Sequence, residues 1–250
     1  VKTDKEVSEI LNDLKIAGRL DSTAVFLWTD HGVSHLRGKQ FLYEEGIRVP
    51  MIIRLPRMQH AGTVRDDLIE HIDIAACSLN LAGIKVPDNI QGRDFLSADY
   101  KSRRFIFAGR DRCDETVDIQ RCVRDSRYKY IRNFMSHVSH AQPSQYKDGK
   151  KILQVIRGLH KQGKLNEQQA RPFAPRRPPE ELYDLDSDPY ELVNLAWEPK
   201  HQKKLLAMRK ALFQQMAKTR DVGLIPEPIL EDLGREAGNK YKVFLDNDYS

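Results

Sequence analysis

The sequence has no apolar run approaching the ~18 residues of a membrane span; its longest candidates, such as Val49 to Ile53, are strand-sized. Cysteine is scarce: Cys77, Cys113 and Cys122 are the three present, and none forms a C-x-x-C pair. That excludes a zinc knuckle, and the odd count defines no disulfide framework, although Cys113 and Cys122 could pair. Glycine (14) and proline (12) are ordinary, which excludes a collagenous or low-complexity chain. A concentrated basic stripe is missing too. The 41 Lys and Arg against 36 Asp and Glu give +5, spread along the 250 residues with acids beside most basic clusters. Nucleic acid is therefore not expected as a partner. What remains, 40% apolar and 31% charged, is the balance of a globular protein with enough chain for a core.

Several elements are legible in the pattern. Val7, Ile10, Leu11 and Leu14 repeat at helical spacing before Gly18, a natural stop. Ala24 to Trp28 is apolar on both faces, which predicts a covered strand in a parallel sheet, and Val49 to Arg54 predicts a second. Residues 33–48 predict a loop with a short embedded helix. A helix is predicted over 66–82, with Leu68, Ile72, Ala75, Ala76 and Leu79 on its apolar face and Gly83 as its cap. Asp66, Asp67 and Asp73 then take capping and surface roles, and Cys77 a core position. After Gly92 the character changes. Short strands at 105–108, 120–124 and 128–134, joined by polar turns such as Asp125-Ser126, predict an antiparallel sheet. Residues 135–180 are polar and irregular, a strand follows at 181–185, and a helix at 200–218 presents Leu205, Met208, Leu212 and Met216. Residues 221–250 carry no clear element, and no internal repeat is present.

The candidate chemistry begins at Asp30-His31, directly after the first strand. A carboxylate and an imidazole side by side at a strand's carboxyl end can reach one divalent cation, and such ends are where open α/β sheets bind ligands. A hard ion such as calcium needs ~6–8 ligands, and no further carboxylates lie nearby in sequence. Lys39 follows closely enough to place a point charge on an anionic oxygen. His35 is a ligand, an acid or a loop histidine. Arg110, Asp111, Arg112 and Asp114 form a charge-dense segment. It could read a sulfate or sugar through bidentate arginine contacts, or it could be a surface ion-pair network.

Thr29 to Gly32, followed by Gly38-Lys39-Gln40-Phe41-Leu42-Tyr43-Glu44-Glu45-Gly46-Ile47-Arg48-Val49-Pro50, resembles the second half of a type I sulfatase domain. The similarity continues in order through Glu70 to Ile74, Leu81 to Ile84, Ile90 to Arg93, Arg127 to Phe134 and Glu181 to Pro189, about residues 1–225 in all. The resemblance implies an α/β fold of the alkaline phosphatase type over 1–95, a smaller antiparallel-sheet subdomain with a packed helix over 96–220, and a tail over 221–250. It implies that Asp30 and His31 are calcium ligands and that Lys39 contacts the substrate sulfate. It further implies that the 110–115 segment lies at a pocket edge, as in N-sulfoglucosamine sulfohydrolase-like members acting on sulfated sugars.

The family nucleophile is a formylglycine made within C/S-x-P/A-x-R, and none of the three cysteines stands in that context. The first pair of metal carboxylates is missing as well, and the chain starts on Val1 rather than Met. The expectation is therefore a trailing part of a larger enzyme, inactive alone. The resemblance places that enzyme in the periplasm, the lysosome or outside the cell. In the whole site a formylglycine hydrate would attack sulfur while calcium and lysine neutralise the sulfate oxygens. The alternatives are a phosphoryl or phosphonate hydrolase of the same superfamily, and a non-catalytic module that holds sulfated glycans.

Overall fold

The computed structural model describes residues 2–239 and 242–243. Contacts divide them into two units, one from Val1–His31 with Arg48–Arg104 and one from Gly32–Ile47 with Phe105–Ser250.

In the first unit, α1 spans Lys2–Ile16, and Gly18 ends it at φ 65°, a conformation glycine adopts without strain. β1 (Val25–Trp28) pairs with β2 (Met51–Arg54), Val25 opposite Arg54 and Trp28 opposite Met51. That pairing is antiparallel, which corrects the parallel sheet expected from the apolar run. Among the described residues β2 is the one partner available to β1 and it runs back alongside it. Trp28 stays 41% exposed, so the double-faced apolarity is not covered within this unit.

The next helix, α3, occupies Ile72–Leu81 and not 66–82; α2, the embedded helix of the second unit, is Glu44–Ile47. The helix starts late because Asp73 draws the chain before it into other bonds. Its carboxylate accepts from the backbone N–H of Glu70 (2.8 Å) and of Arg93 (2.7 Å), and from both ends of the Arg103 guanidinium (2.7 Å each). Asp73 is fully buried, so the surface role expected for it is wrong. Asp67, by contrast, pairs with Arg65 at 2.7 Å near the surface. Cys77 is buried as expected.

The second unit is built on a four-stranded antiparallel sheet in sequence order: β3 (Ile106–Cys113), β4 (Thr116–Arg124), β5 (Tyr128–Asn133) and β6 (Glu180–Asp184). The β4–β5 turn forms because Asp125 accepts from the backbone N–H of Arg127 (2.9 Å) and Tyr128 (2.6 Å), the local bond that favours aspartate in turns. Alternation along the strands sends neighbouring residues to opposite faces. Val123, Tyr130 and Leu182 pack on one face against Leu205, Met208, Leu212 and Met216 of a long helix at Gln202–Lys218. Cys122, Ile131 and Tyr183 pack on the other against Phe41, Leu42 and Tyr43. Each such side chain contributes about 1.5–3 kcal/mol by leaving water.

One lysine breaks the apolar alternation. Lys129 is fully buried, and its ammonium meets Glu44 (2.7 Å), Glu191 (2.9 Å) and the Leu42 carbonyl (3.1 Å). This network ties α2 to the sheet.

Between β5 and β6, where the sequence reads as irregular, lie α4 (Gln145–Asp148), α5 (Lys151–Lys161) and α6 (Glu167–Ala170). The long helix after β6 is α7, and α8 (Glu227–Glu236) follows it where no element is expected. The rest of that expectation, at 240–241 and 244–250, lies outside the described residues. Both sheets being antiparallel and flanked by helices, the chain is a mixed helix-and-sheet fold of the α/β kind. A Cys113–Cys122 disulfide is excluded by register. Cys122 faces Ala108 on β3, five residues and roughly 16 Å along the strand from Cys113, and all three cysteines are free.

Candidate functional site

Two separate groups of polar side chains follow from this framework, one in each unit. Asp30 and His31 directly follow β1, with Asp30 Oδ2 3.4 Å from His31 Nε2. The carboxylate is 84% exposed and free to take another partner. One oxygen and one imidazole nitrogen suit a divalent cation and supply two of its donors. Among the described residues no group of three or more His, Cys, Asp or Glu side chains surrounds a common point. The pair therefore fits as part of a metal site and not as a whole one.

The second group is carried by the loop at 32–47. Hydrogen bonds within the loop fix it: Gly32 N–H donates to the Gly46 carbonyl (2.9 Å), Lys39 N–H to Val33 (2.8 Å) and Phe41 N–H to Gly38 (2.9 Å). Gly38 is required here, since a Cβ would fall 1.8 Å from the Val33 carbonyl oxygen. Lys39 leaves this rigid turn and its ammonium donates to the Tyr146 hydroxyl at 3.3 Å, 4.8 Å from that ring's centre. The Tyr146 hydroxyl also lies 3.4 Å from Ser34 Oγ, which in turn accepts from Lys150. Lys150 stands 4.1 Å from the same ring centre. Beneath them Lys147 donates to the Lys39 carbonyl (2.9 Å) and sits 4.2 Å from the centre of Phe41.

The electrostatics of this cluster are one-sided. Hydrogen bonds from Ser34, Lys150 and Lys39 pull the Tyr146 phenol down to about 8. Burial, then repulsion from Arg110, Lys150 and Lys39, lowers the Lys147 ammonium to about 8 despite an opposing pull from Cys113. Among the described residues no carboxylate forms an ion pair with Lys39, Lys147 or Lys150.

The other expected site residues are placed differently. His35 is exposed, and its carbonyl accepts from Gly38 N–H (3.3 Å). Arg110 is buried 4.7 Å from the centre of Phe41 and 3.3 Å from Asp118, and burial lowers its pKa. Asp111 pairs with Arg121 (2.7 Å), which also holds Asp221. Arg112 donates to Glu227 and to the Asp114 carbonyl (2.6 Å), and Asp114 is the turn residue at φ 50°. Arg110, Asp111 and Arg112 are thus held in ion pairs, and Arg110 and Cys113 act on Lys147 of the cluster.

A buried network lies beside it in the same unit. Arg177 binds Asp118 through both guanidinium ends, one at 2.8 Å. His140 contacts Arg177 (3.3 Å) and Tyr43 (3.2 Å), and burial drives its imidazole down to about 4 against the opposing charge of Glu181. Leu36, Arg37, Phe41, Tyr43, His140 and Arg171 help to line a small cleft. Neither His140 nor Arg177 nor Tyr146 stands out in the sequence.

Residues 31–168 match the family model described as N-sulphoglucosamine sulphohydrolase, C-terminal. The chain belongs to this family. An ulvan-active sulfatase of Formosa agariphila is 38% identical over 225 residues, 90% of this chain but 38% of that protein. The chain thus spans well under half the length of that relative. A solved 2-O GAG sulfatase superposes with a TM-score of 0.65 at 23% identity, over 88% of this chain and 42% of the other. The phosphonate monoester hydrolase of Agrobacterium radiobacter shares the fold at TM-score 0.60 and 20% identity, over 86% and 39%. The chain is thus a C-terminal sulfatase-family portion, and its α/β architecture is the fold of those enzymes.

Proposed function

We propose that this chain supplies the metal-binding and sulfate-binding back part of a sulfatase that acts on a sulfated sugar. The observation that carries the reading is the group of ammoniums around Tyr146 that no carboxylate of the described residues pairs with, Lys39 among them. Lys39 holds an anionic oxygen of the sulfate as a point charge. Asp30 and His31 hold a divalent cation, calcium by the sulfatase resemblance, the carboxylate being the hard oxygen donor of the pair. Such a cation would supply Lewis-acid charge to an anionic oxygen bound beside those two residues. His35, exposed on the same loop as Lys39, is free to donate to the ester or its sugar. Arg112 and Asp114 sit at the rim, where the exposed Arg112–Glu227 pair is worth at most about 1 kcal/mol and opens readily to a sulfate. Asp111 and Arg110 steady that rim from behind. The ulvan-active sulfatase relative and the 2-O GAG sulfatase fold support a sulfated glycan as substrate. None of the three cysteines stands in a formylglycine context, so in this reading the nucleophile is not among them.

The test is calorimetric. Calcium titrated into the 250-residue chain should bind weakly, and Asp30→Ala should remove that binding. Lys39→Ala should leave calcium binding intact while weakening retention of a sulfated monosaccharide. The chain alone should not turn over an aryl sulfate. Turnover at an ordinary enzyme rate, or sulfate retention indifferent to Lys39, would overturn the reading.

A further inference from the structure

We infer that Lys39, Tyr146 and Lys150 form one cradle for an oxyanion, with Tyr146 and Lys150 as binding residues for the sulfate or carboxylate group of a sugar. The inference rests on the sulfatase reading for Lys39 and adds two residues from a segment 107 positions away.

The geometry is that of a site and not of a solvated surface. Free lysines sample many rotamers, whereas both ammoniums here stand against a single phenol ring, at 4.8 and 4.1 Å from its centre. Tyr146 is itself 41% exposed, so the cradle is open to a ligand. Each ammonium has three N–H groups. The protein takes one from Lys39, through the Tyr146 hydroxyl, and two from Lys150, through Ser34 Oγ and the same hydroxyl. Two donors on Lys39 and one on Lys150 remain for an acceptor the described residues do not provide. Bringing like charges together costs free energy, and ion pairs satisfy charged side chains elsewhere in this unit, as Lys129 shows with Glu44 and Glu191. An anion with several oxygens removes that cost and uses all the free donors at once.

The Tyr146 phenol and the Lys147 ammonium are both shifted toward losing a proton, the first by its hydroxyl and ammonium donors and the second by burial and neighbouring cations. At neutral pH the Tyr146 hydroxyl keeps its proton for the most part and is a third donor. A planar carboxylate or a tetrahedral sulfate both present the oxygens required.

The phenol supplies the readout. Ultraviolet absorbance of phenolate, followed against pH, should show an early step near pH 8 that Tyr146→Phe removes. Sodium sulfate, compared with sodium chloride at matched ionic strength, should move that step upward, because a bound anion disfavours phenolate. Lys150→Gln should abolish the movement and weaken sulfate binding by about tenfold, the loss of one charge-assisted contact. Tyr146→Phe should weaken it by a few-fold. Glucuronate in place of sulfate identifies the source: a stronger upward shift with glucuronate assigns the cradle to a sugar carboxylate, and a stronger one with sulfate assigns it to the sulfate group. If sulfate and glucuronate both leave the step where chloride leaves it, the cradle is refuted. If Lys39→Gln lowers sulfate binding while Lys150→Gln and Tyr146→Phe do not, the cradle is refuted and the sulfatase reading stands. If all three variants lose oxyanion binding but aryl phosphate is held as well as aryl sulfate, the cradle stands and the sulfate preference falls.

Discussion

Two cationic clusters lie in the same unit and have opposite solutions to the same problem. Arg110 and Arg177 are buried and converge on Asp118, with Arg177 gripping the carboxylate by both guanidinium ends and His140 kept neutral beside them. Lys39 and Lys150 share a phenol and a serine hydroxyl, half in solvent, with no ion-pair partner among the described residues. A buried cation that keeps its charge needs a paired geometry, because removing charge from water costs several kcal/mol. Lys147, buried beneath the open cluster without such a partner among the described residues, instead has its ammonium pulled down to about 8. Partial exposure does not demand such a partner and leaves room for a carboxylate or sulfate from elsewhere. The first cluster therefore holds the fold together, and the second is placed to hold something else.

The largest test of this contrast is Asp118→Asn. It strands two buried guanidiniums and should destabilise the chain by about 3–5 kcal/mol in urea unfolding. Lys150→Gln, in the open cluster, should by comparison change stability by less than about 0.5 kcal/mol. Equal losses from the two would erase the distinction.

Acid supplies the second test. His140 titrates near 6.5 in the unfolded chain and at about 4 in the folded one. Between those values the unfolded state binds the extra proton, so stability must fall as pH drops from about 6.5 to about 4 and change no further below that from this residue. The loss expected is about 3 kcal/mol, read from urea midpoints across the window and reduced in His140→Gln. A flat profile in that window would show that the cluster is not closed to water.

The smallest effect belongs to the rim. Glu227→Ala should cost no more than about 1 kcal/mol, since its partner Arg112 stays solvated. A larger loss would move Arg112 from the open class into the closed one.

How much of this is legible in the sequence depends on the distance over which each signal acts. The stripe of Leu205, Met208, Leu212 and Met216 is local and periodic, and all four are buried. The Asp125 turn and the antiparallel strands around it are equally local. Pairings over long separations leave no such trace. Asp118 and Arg177 are 59 residues apart, and nothing at either position announces the other. Lys39 is legible from its Gly-Lys context, but Tyr146 and Lys150 lie in a stretch whose polarity hides three helices. In α5 the apolar positions Ile152, Leu153, Ile156 and Leu159 do follow helical spacing; Gly158 and the surrounding basic residues obscure it. Strand β1 misleads for a different reason. Its apolarity does not report the direction of its neighbour, and Leu27 and Trp28 stay exposed all the same.

The three cysteines have a practical consequence. Burial pushes the Cys77 thiol up to about 12 and the Cys122 thiol up to about 11, which leaves both inert toward electrophiles at neutral pH. Cys113 is partly exposed and touches the side chain of Gln40, the residue after Lys39, at 2.6 Å. The protein thus carries its own single attachment point for a fluorophore or spin label one residue from the cation cluster, and ligand arrival there can be watched without engineering a handle.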